Sequence, residues 1–298
     1  MEIYKRILEE GEEHLSSLDN HIFDVLDVKQ PASAQAVINL STTISKLSPL
    51  VGNLIEFAIC DFLNNQSNHK HLGSWYRQDP GFPDTIFLGN VSPNPGFEIK
   101  AWFPLSTEIT ARFKDSQKYF PQDQTYVALI AWLPEFIIFG RPAIISTTSI
   151  SAASIAYYRD NHYNKPPHYI VLEPEDTTSR TSNLQQTNMN GYRFQGNQQE
   201  LERALIDVEA WGLEGVPYNS SREYQDLLQS LVKKYRYRLD TNFAKIDRIQ
   251  HPEIVKFKTE VMNTCVHGRT ISEWQKIITS KNDQLIINSL SEAFNLNV

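Results

Sequence analysis

The chain has 298 residues, enough to bury a sizeable core, and its 41% hydrophobic and 21% charged content is ordinary for a globular protein. No apolar run approaches the roughly 18 residues needed to span a bilayer. The first residues turn acidic too soon for a secretion signal, and Cys60 and Cys265 allow at most one disulfide and no CxxC zinc pair, so a cytoplasmic protein without a membrane partner is expected.

In chain order, Ile3, Ile7, Leu8, Leu15, Leu18, Ile22 and Leu26 recur at helical spacing and predict one amphipathic helix or two over residues 1–28. Gln30-Pro31 breaks the pattern, and a second helix is expected over about 32–47. Ser48-Pro49 then opens a third, Leu50 to Leu63, largely buried and carrying Glu56. After a polar loop the period changes. Trp75-Tyr76, Thr85 to Leu88 and Phe97 to Phe103 read as strands, the last two joined by the Gly-, Asn- and Pro-rich turn 89–96. Thr107 to Phe120 is expected to be a helix, Tyr126 to Leu133 and Phe136 to Phe139 central strands, Ile150 to Tyr158 a helix, and His168 to Leu172 a short strand. Residues 173–197 are rich in Asn and Gln. From about 198 the chain reads helical, with turns near Gly215-Val216-Pro217, His251-Pro252 and His267-Gly268. The order predicts an α/β fold, a mixed sheet with helices on both faces, in one domain. Residues 1–70 would supply N-terminal helices, 71–175 the sheet core, and 176–298 a polar loop and C-terminal helices.

The chemistry concentrates at Pro83-Asp84 and, fourteen residues after the aspartate, Glu98-Ile99-Lys100. Strand alternation puts Glu98 and Lys100 on one face and Ile99 on the other, so Ile99 can enter the core while its backbone carbonyl stays near a metal held by the acids. Two carboxylates on neighbouring strands can share a hard divalent ion such as magnesium, which takes oxygen ligands. An ammonium beside them can orient a water and offset negative charge, as phosphodiester hydrolysis requires. The alternative is a surface turn aspartate and an exposed Glu/Lys strand pair, with Glu56 merely salt-bridged.

Pro83-Asp84 with Glu98-Ile99-Lys100 resembles the active-site signature of the PD-(D/E)xK nuclease superfamily, over about residues 50–120. The resemblance implies a restriction-endonuclease-like core, with Asp84 and Glu98 as metal ligands, Lys100 as the catalytic lysine and Glu56 as the acid on the preceding helix. It implies a type II restriction endonuclease that uses Mg2+, with Mn2+ able to substitute, to cut double-stranded DNA as a homodimer. A repair or recombination nuclease, and a non-catalytic DNA-binding protein, are the alternatives.

The net charge of −7 weighs against indiscriminate coating of nucleic acid but not against a nuclease, because the local field along a cleft decides. Residues 1–60 carry four Lys/Arg against nine Asp/Glu, whereas residues 221–298 carry twelve against nine. Arg180, Asn183, Gln185, Gln186, Asn188, Asn190 and Arg193 are candidate base readers, since Asn and Gln suit adenine and Arg suits guanine in the major groove. A solvated polar loop is the other reading. Arg112, Lys114 and Lys118, expected on the helix after the motif, are candidate phosphate contacts, as is the stretch Lys233 to Arg238, whose plainer reading is a solvated helix face with two inward tyrosines. Glu108 and Asp123 read as surface charges, and His69-Lys70-His71 lacks a third zinc ligand. No GxxxxGK[ST] or GxGxxG is present, so no nucleotide cofactor is expected.

Overall fold

Helix α1 (Ile3–Ser16) forms because Tyr4, Ile7, Leu8, Gly11 and Leu15 fall on one stripe, and all five are buried. The computed structural model describes residues 2–79, 81–106, 108–173, 189–212 and 217–296. The helical pattern of the sequence continues to Leu26, but the chain does not. Asn20 takes a positive φ of 66°, and residues 20–28 run beside a sheet edge, with Ile22 bridging Ala143 and Val28 bridging Gly140.

The second expected helix is α2 (Ala34–Thr43), opened by Ser33, whose hydroxyl accepts from the Ala36 amide at 3.2 Å. A 3-10 turn, Ile44–Leu47, leads into α3 (Ser48–Gln66), with Pro49 in its first turn, where the absent N–H costs nothing. Val51, Ile55, Ile59, Cys60 and Leu63 form its buried stripe. Phe57 lies off that stripe and is 58% exposed, so the helix is less buried than expected.

Strands β1 (Gly73–Arg77), β2 (Thr85–Gly89), β3 (Gly96–Trp102), β4 (Thr125–Pro134) and β5 (Pro142–Ser151) form one sheet in that order. β1, β2 and β3 are an antiparallel meander, β3 and β4 run parallel, and β4 and β5 are antiparallel, so the sheet is mixed. Along β3, Phe97, Ile99 and Ala101 face α1 and α3: a Cβ on Gly11 would lie 2.6 Å from the Phe97 ring, and one on Gly52 3.6 Å from that of Ala101. Trp102 alternates to the other face and meets Phe257 of α7 (Pro252–Asn263) at 6.2 Å. Helices thus cover both faces, as expected.

Three expectations fail around this sheet. Parallel β3 and β4 need a crossover, but residues 108–116 are extended chain followed by a 3-10 turn at Gln117–Tyr119, not a helix. Burial there has period two (Ile109, Phe113 and Asp115 inward, Thr110 and Arg112 outward). The segment pairs with residues 244–247: the Phe113 amide donates to Ala244 O at 2.8 Å and the Ile246 amide to Ala111 O at 2.9 Å. Phe136–Phe139 is a turn, with Ile137 at φ 68° and the two phenyl rings stacked at 4.8 Å. The strand lies beyond it, at β5, and the following helix α4 runs later than expected, Ala152–Tyr163.

A second sheet joins β6 (Tyr169–Leu172), β7 (Asn190–Phe194) and β8 (Tyr237–Leu239), all antiparallel. Ile170 packs with Val208 of α5 (Gln198–Glu209) and with Tyr224, Leu228 and Leu231 of α6 (Arg222–Lys234). The basic stretch 233–238 is therefore split between the end of α6 and β8 rather than lying on one helix. Beyond α7 come a short hairpin, Cys265–Val266 with Arg269–Thr270, turning at His267 and Gly268, and then α8 (Ile271–Ile278) and α9 (Asp283–Phe294). His251 caps α7 as its boundary, while the turn expected at Gly215-Val216 lies outside the described residues. Among the described residues no helix is long and apolar enough to cross a membrane.

The two sheets meet at Arg159 of α4, which is fully buried. Its Nε donates to Asp160 Oδ1 at 2.7 Å, its Nη1 to Phe113 O at 2.7 Å and its Nη2 to Asp115 O at 2.9 Å. One guanidinium thus fastens the crossover segment to the helix behind it.

Candidate active site

The β2–β3 turn delivers the two motif acids to each other. Thr85 stands opposite Phe97 in the ladder, so one step back along β2 sets Asp84 opposite Glu98. The pair is locked by reciprocal bonds: the Ile99 amide donates to Asp84 Oδ2 at 2.7 Å, and the Asp84 amide to Glu98 Oε2 at 3.2 Å. Gly96 permits this approach, since a Cβ there would stand 2.3 Å from Pro83 Cγ and 2.9 Å from Thr85 O.

The ladder between β2 and β3 ends at Phe97, so from Glu98 onward the edge of β3 on that side is open. Amide and carbonyl of a strand residue project to the same side. The Ile99 carbonyl therefore looks out beside Asp84, while the Ile99 side chain is buried at 1% exposure. Lys100 reaches the same place. Its ammonium donates to Glu98 Oε1 and stands 3.6 Å from Asp84 Oδ2. Glu56 comes from α3, with its Oε2 3.7 Å from Arg77 Nη2, and together with Lys100 it lines a cleft of about 580 Å³. Ser48 and Asn53 of α3, β3 from Ile99 to Trp102 with Phe103 just beyond it, and Glu108 and Arg112 of the crossover segment also line it.

The charges are unbalanced toward the acids. Burial pushes the Glu56 carboxyl up to about 7, with the Asp84 charge adding to it and Lys100 and Arg77 opposing. Burial also raises Glu98, against the pull of Lys100. For Lys100 itself burial acts downward, but Glu98 and Asp84 outweigh it, and the ammonium is held charged. Two residues of this neighbourhood were not read from the sequence. Asp115 is 8% exposed and raised by burial, with Arg159 and Lys100 opposing. Arg77, at the end of β1, bonds Asp79 Oδ2 at 2.9 Å, and its guanidinium stands 4.9 Å from the Phe57 ring. Inward alternation from Ile109 through Phe113 was the available signal for Asp115. Arg77 had none.

Because folded Glu56 binds its proton more tightly than the unfolded chain does, its contribution to stability is present below about pH 4.5 and is lost as pH rises through about 7. Glu56→Gln is therefore expected to stabilise the metal-free protein at pH 8 by about 2 kcal/mol, and to change little at pH 4. Urea unfolding in EDTA at the two pH values reads this, and equal effects at both would refute it.

Among the described residues no group of three or more His, Cys, Asp and Glu side chains forms a ready metal cage. The donors nonetheless suit magnesium, which commonly takes one or two carboxylates and keeps several waters. Asp84, Glu98 and the outward Ile99 carbonyl are all oxygen donors, and the excess of acid over base favours an added cation.

The DNA-contact candidates scatter. Arg112 is exposed on the cleft wall and Lys114 is half-buried beside it, on extended chain rather than the expected helix. Lys118 is bound to Glu173 at 3.3 Å. Asn190 begins β7 and Arg193 is exposed within it, whereas Arg180, Asn183, Gln185, Gln186 and Asn188 lie outside the described residues. Of the stretch 233–238, Lys234 is paired with Asp207 at 2.7 Å and Arg236 with Glu200 at 2.9 Å. Tyr235 and Tyr237 turn their hydroxyls to Asp207 and Pro167 O. Glu108 is not a free surface charge but bonds Lys245 at 2.9 Å and Arg248 at 2.5 Å. Asp123 accepts from Ser151 at 2.6 Å, and His69 Nδ1 pairs with Glu10 at 2.5 Å. Comparison with protein-family models, with curated proteins and with solved structures gives no match, so the site is read from its own residues and geometry.

Proposed function

We propose that this chain is a nuclease of the PD-(D/E)xK type, a type II restriction endonuclease that hydrolyses double-stranded DNA at specific sites with magnesium. The observation that carries the reading is the meeting of Asp84, Glu98 and Lys100 at the open edge of β3, with Glu56 lining the same cleft as Lys100. Asp84, Glu98 and the Ile99 carbonyl would hold the metal, and Glu56 would support it directly or through water. The ion, when bound, offsets charge on the phosphate and lowers the pKa of a bound water.

The protein's own part is positional. Lys100, held as an ammonium by the two carboxylates in the metal-free site, would orient the attacking water and offset charge on the phosphate. Its contact with Glu98 fixes its head group, and the Ile99 amide fixes Asp84, so both side chains are held by residues of β3. The excess of negative charge around Glu56 keeps the site poised for a cation. One such site cuts one strand, and a two-fold dimer would present two sites to a palindromic duplex.

Incubation of the purified protein with unmethylated phage DNA tests this directly. Discrete bands that require magnesium and vanish with EDTA are expected. Nicks without double-strand breaks would point to a repair nuclease of the same chemistry, and no cleavage under any divalent metal would remove the nuclease reading.

A further inference from the structure

β7 and β8 place two arginines directly opposite each other. Arg193 and Arg238 are register partners, and both are exposed. Like charges at directly opposed positions of an antiparallel pair repel. Neither takes an ion-pair partner among the described residues, although Arg236 and Lys234, a few positions earlier, each have a carboxylate.

The two strands that carry this pair are also the two tied to the cleft wall. Arg112 Nε donates to Thr241 O at 3.4 Å, just beyond β8, and the Met189 amide donates to Lys114 O at 3.0 Å, just before β7. Arg112 and Lys114 likewise have no salt bridge among the described residues, and they stand near enough that the charge of Arg112 lowers Lys114, after burial. Cations with no salt bridge among the described residues thus stand on the cleft that Lys100 lines and on the face of the small sheet, in a protein of net charge −7.

We propose that Arg112, Lys114, Arg193 and Arg238 form a phosphate track that carries the backbone of duplex DNA from the cleft onto the β7–β8 face. The identity of the polyanion rests on the nuclease reading above. The regularly spaced phosphates of a duplex offset opposed arginines one to one, and such contacts position the duplex without reading its sequence.

The test is fluorescence anisotropy on a random 30-base-pair duplex in EDTA, at several salt concentrations. The double variant Arg193→Ala/Arg238→Ala is expected to bind at least about tenfold more weakly, with a log–log salt slope shallower by about 2, one unit per lost phosphate contact. Arg238→Glu should weaken binding at least as much. It should leave Tm equal or higher, because it replaces a cross-strand repulsion by an ion pair, and that opposite movement separates lost contact from lost folding. Unchanged affinity and slope in the double variant, or no duplex binding by the unaltered protein, would overturn the track. Wild-type protein that binds through these arginines yet cuts nothing in magnesium would keep the track and lose the nuclease reading. Cleavage with unaltered binding in the double variant would do the reverse.

Discussion

Asp84→Asn is expected to lower magnesium-dependent cleavage by about 10²–10³-fold or more while leaving the fold and metal-free DNA binding intact. The asparagine oxygen can still accept from the Ile99 amide, as Asp84 Oδ2 does at 2.7 Å. Only the charge is removed, so thermal stability should hold. Lys100→Ala should cost as much activity but is a less clean change, because it strips the cation from a carboxylate that is 6% exposed. Glu98 would then take up a proton, and the variant should lose stability as pH rises, whereas Asp84→Asn should not. Cleavage by Asp84→Asn at the unaltered rate, on a gel with matched protein concentrations, would sink the assignment of the site.

Arg159→Ala is expected to be the most damaging change to the fold, by about 3–5 kcal/mol, since removing one partner of a buried ion pair leaves the other uncompensated. Arg159 and Asp160 are both fully buried. The change also frees the carbonyls of Phe113 and Asp115, which the guanidinium now satisfies. The double variant Arg159→Met/Asp160→Leu should recover part of the loss by removing both charges. It should not recover cleavage, because nothing then holds the crossover segment against α4. Urea unfolding of the two variants, beside their cleavage rates, reads both statements. Full recovery of activity in the double variant would show that Arg159 supports only the core.

The motif triplet was legible in the sequence because its geometry is local. A connection of six residues, 90–95, between two short strands sets Asp84 opposite Glu98, and period-two alternation settles where Lys100 points. The start of α3 was legible for the same reason, from Ser48-Pro49. The crossover segment was not. Ile109 and Phe113 are four apart, which suits a helix face and an alternating strand equally, and the pairing that decides is with residues 244–247, far along the chain. β5 escaped notice because its middle is Ser146, Thr147, Thr148 and Ser149, polar residues whose strand partner is the apolar β4. Phe136–Phe139 misled in the opposite sense: Ile137, Ile138 and Phe139 are real core, but Ile137 sits at positive φ and turns the chain. Asp115 belonged to the segment whose period was misread, and so it could not be placed beside the other acids.

The wall of the cleft also sets a timetable. The candidate acids and lysine are complete by residue 100, but the segment that walls the cleft beside Lys100 leans on residues 244–247, the Ile109 amide meeting Asp247 Oδ1 138 positions later in the chain. At a synthesis rate of roughly 5–20 residues per second, the acids leave the ribosome on the order of ten seconds before their enclosing wall can be anchored. An emerging chain therefore carries the candidate acids and lysine without the cleft, and the cleft closes only when the last quarter of the protein has folded against it.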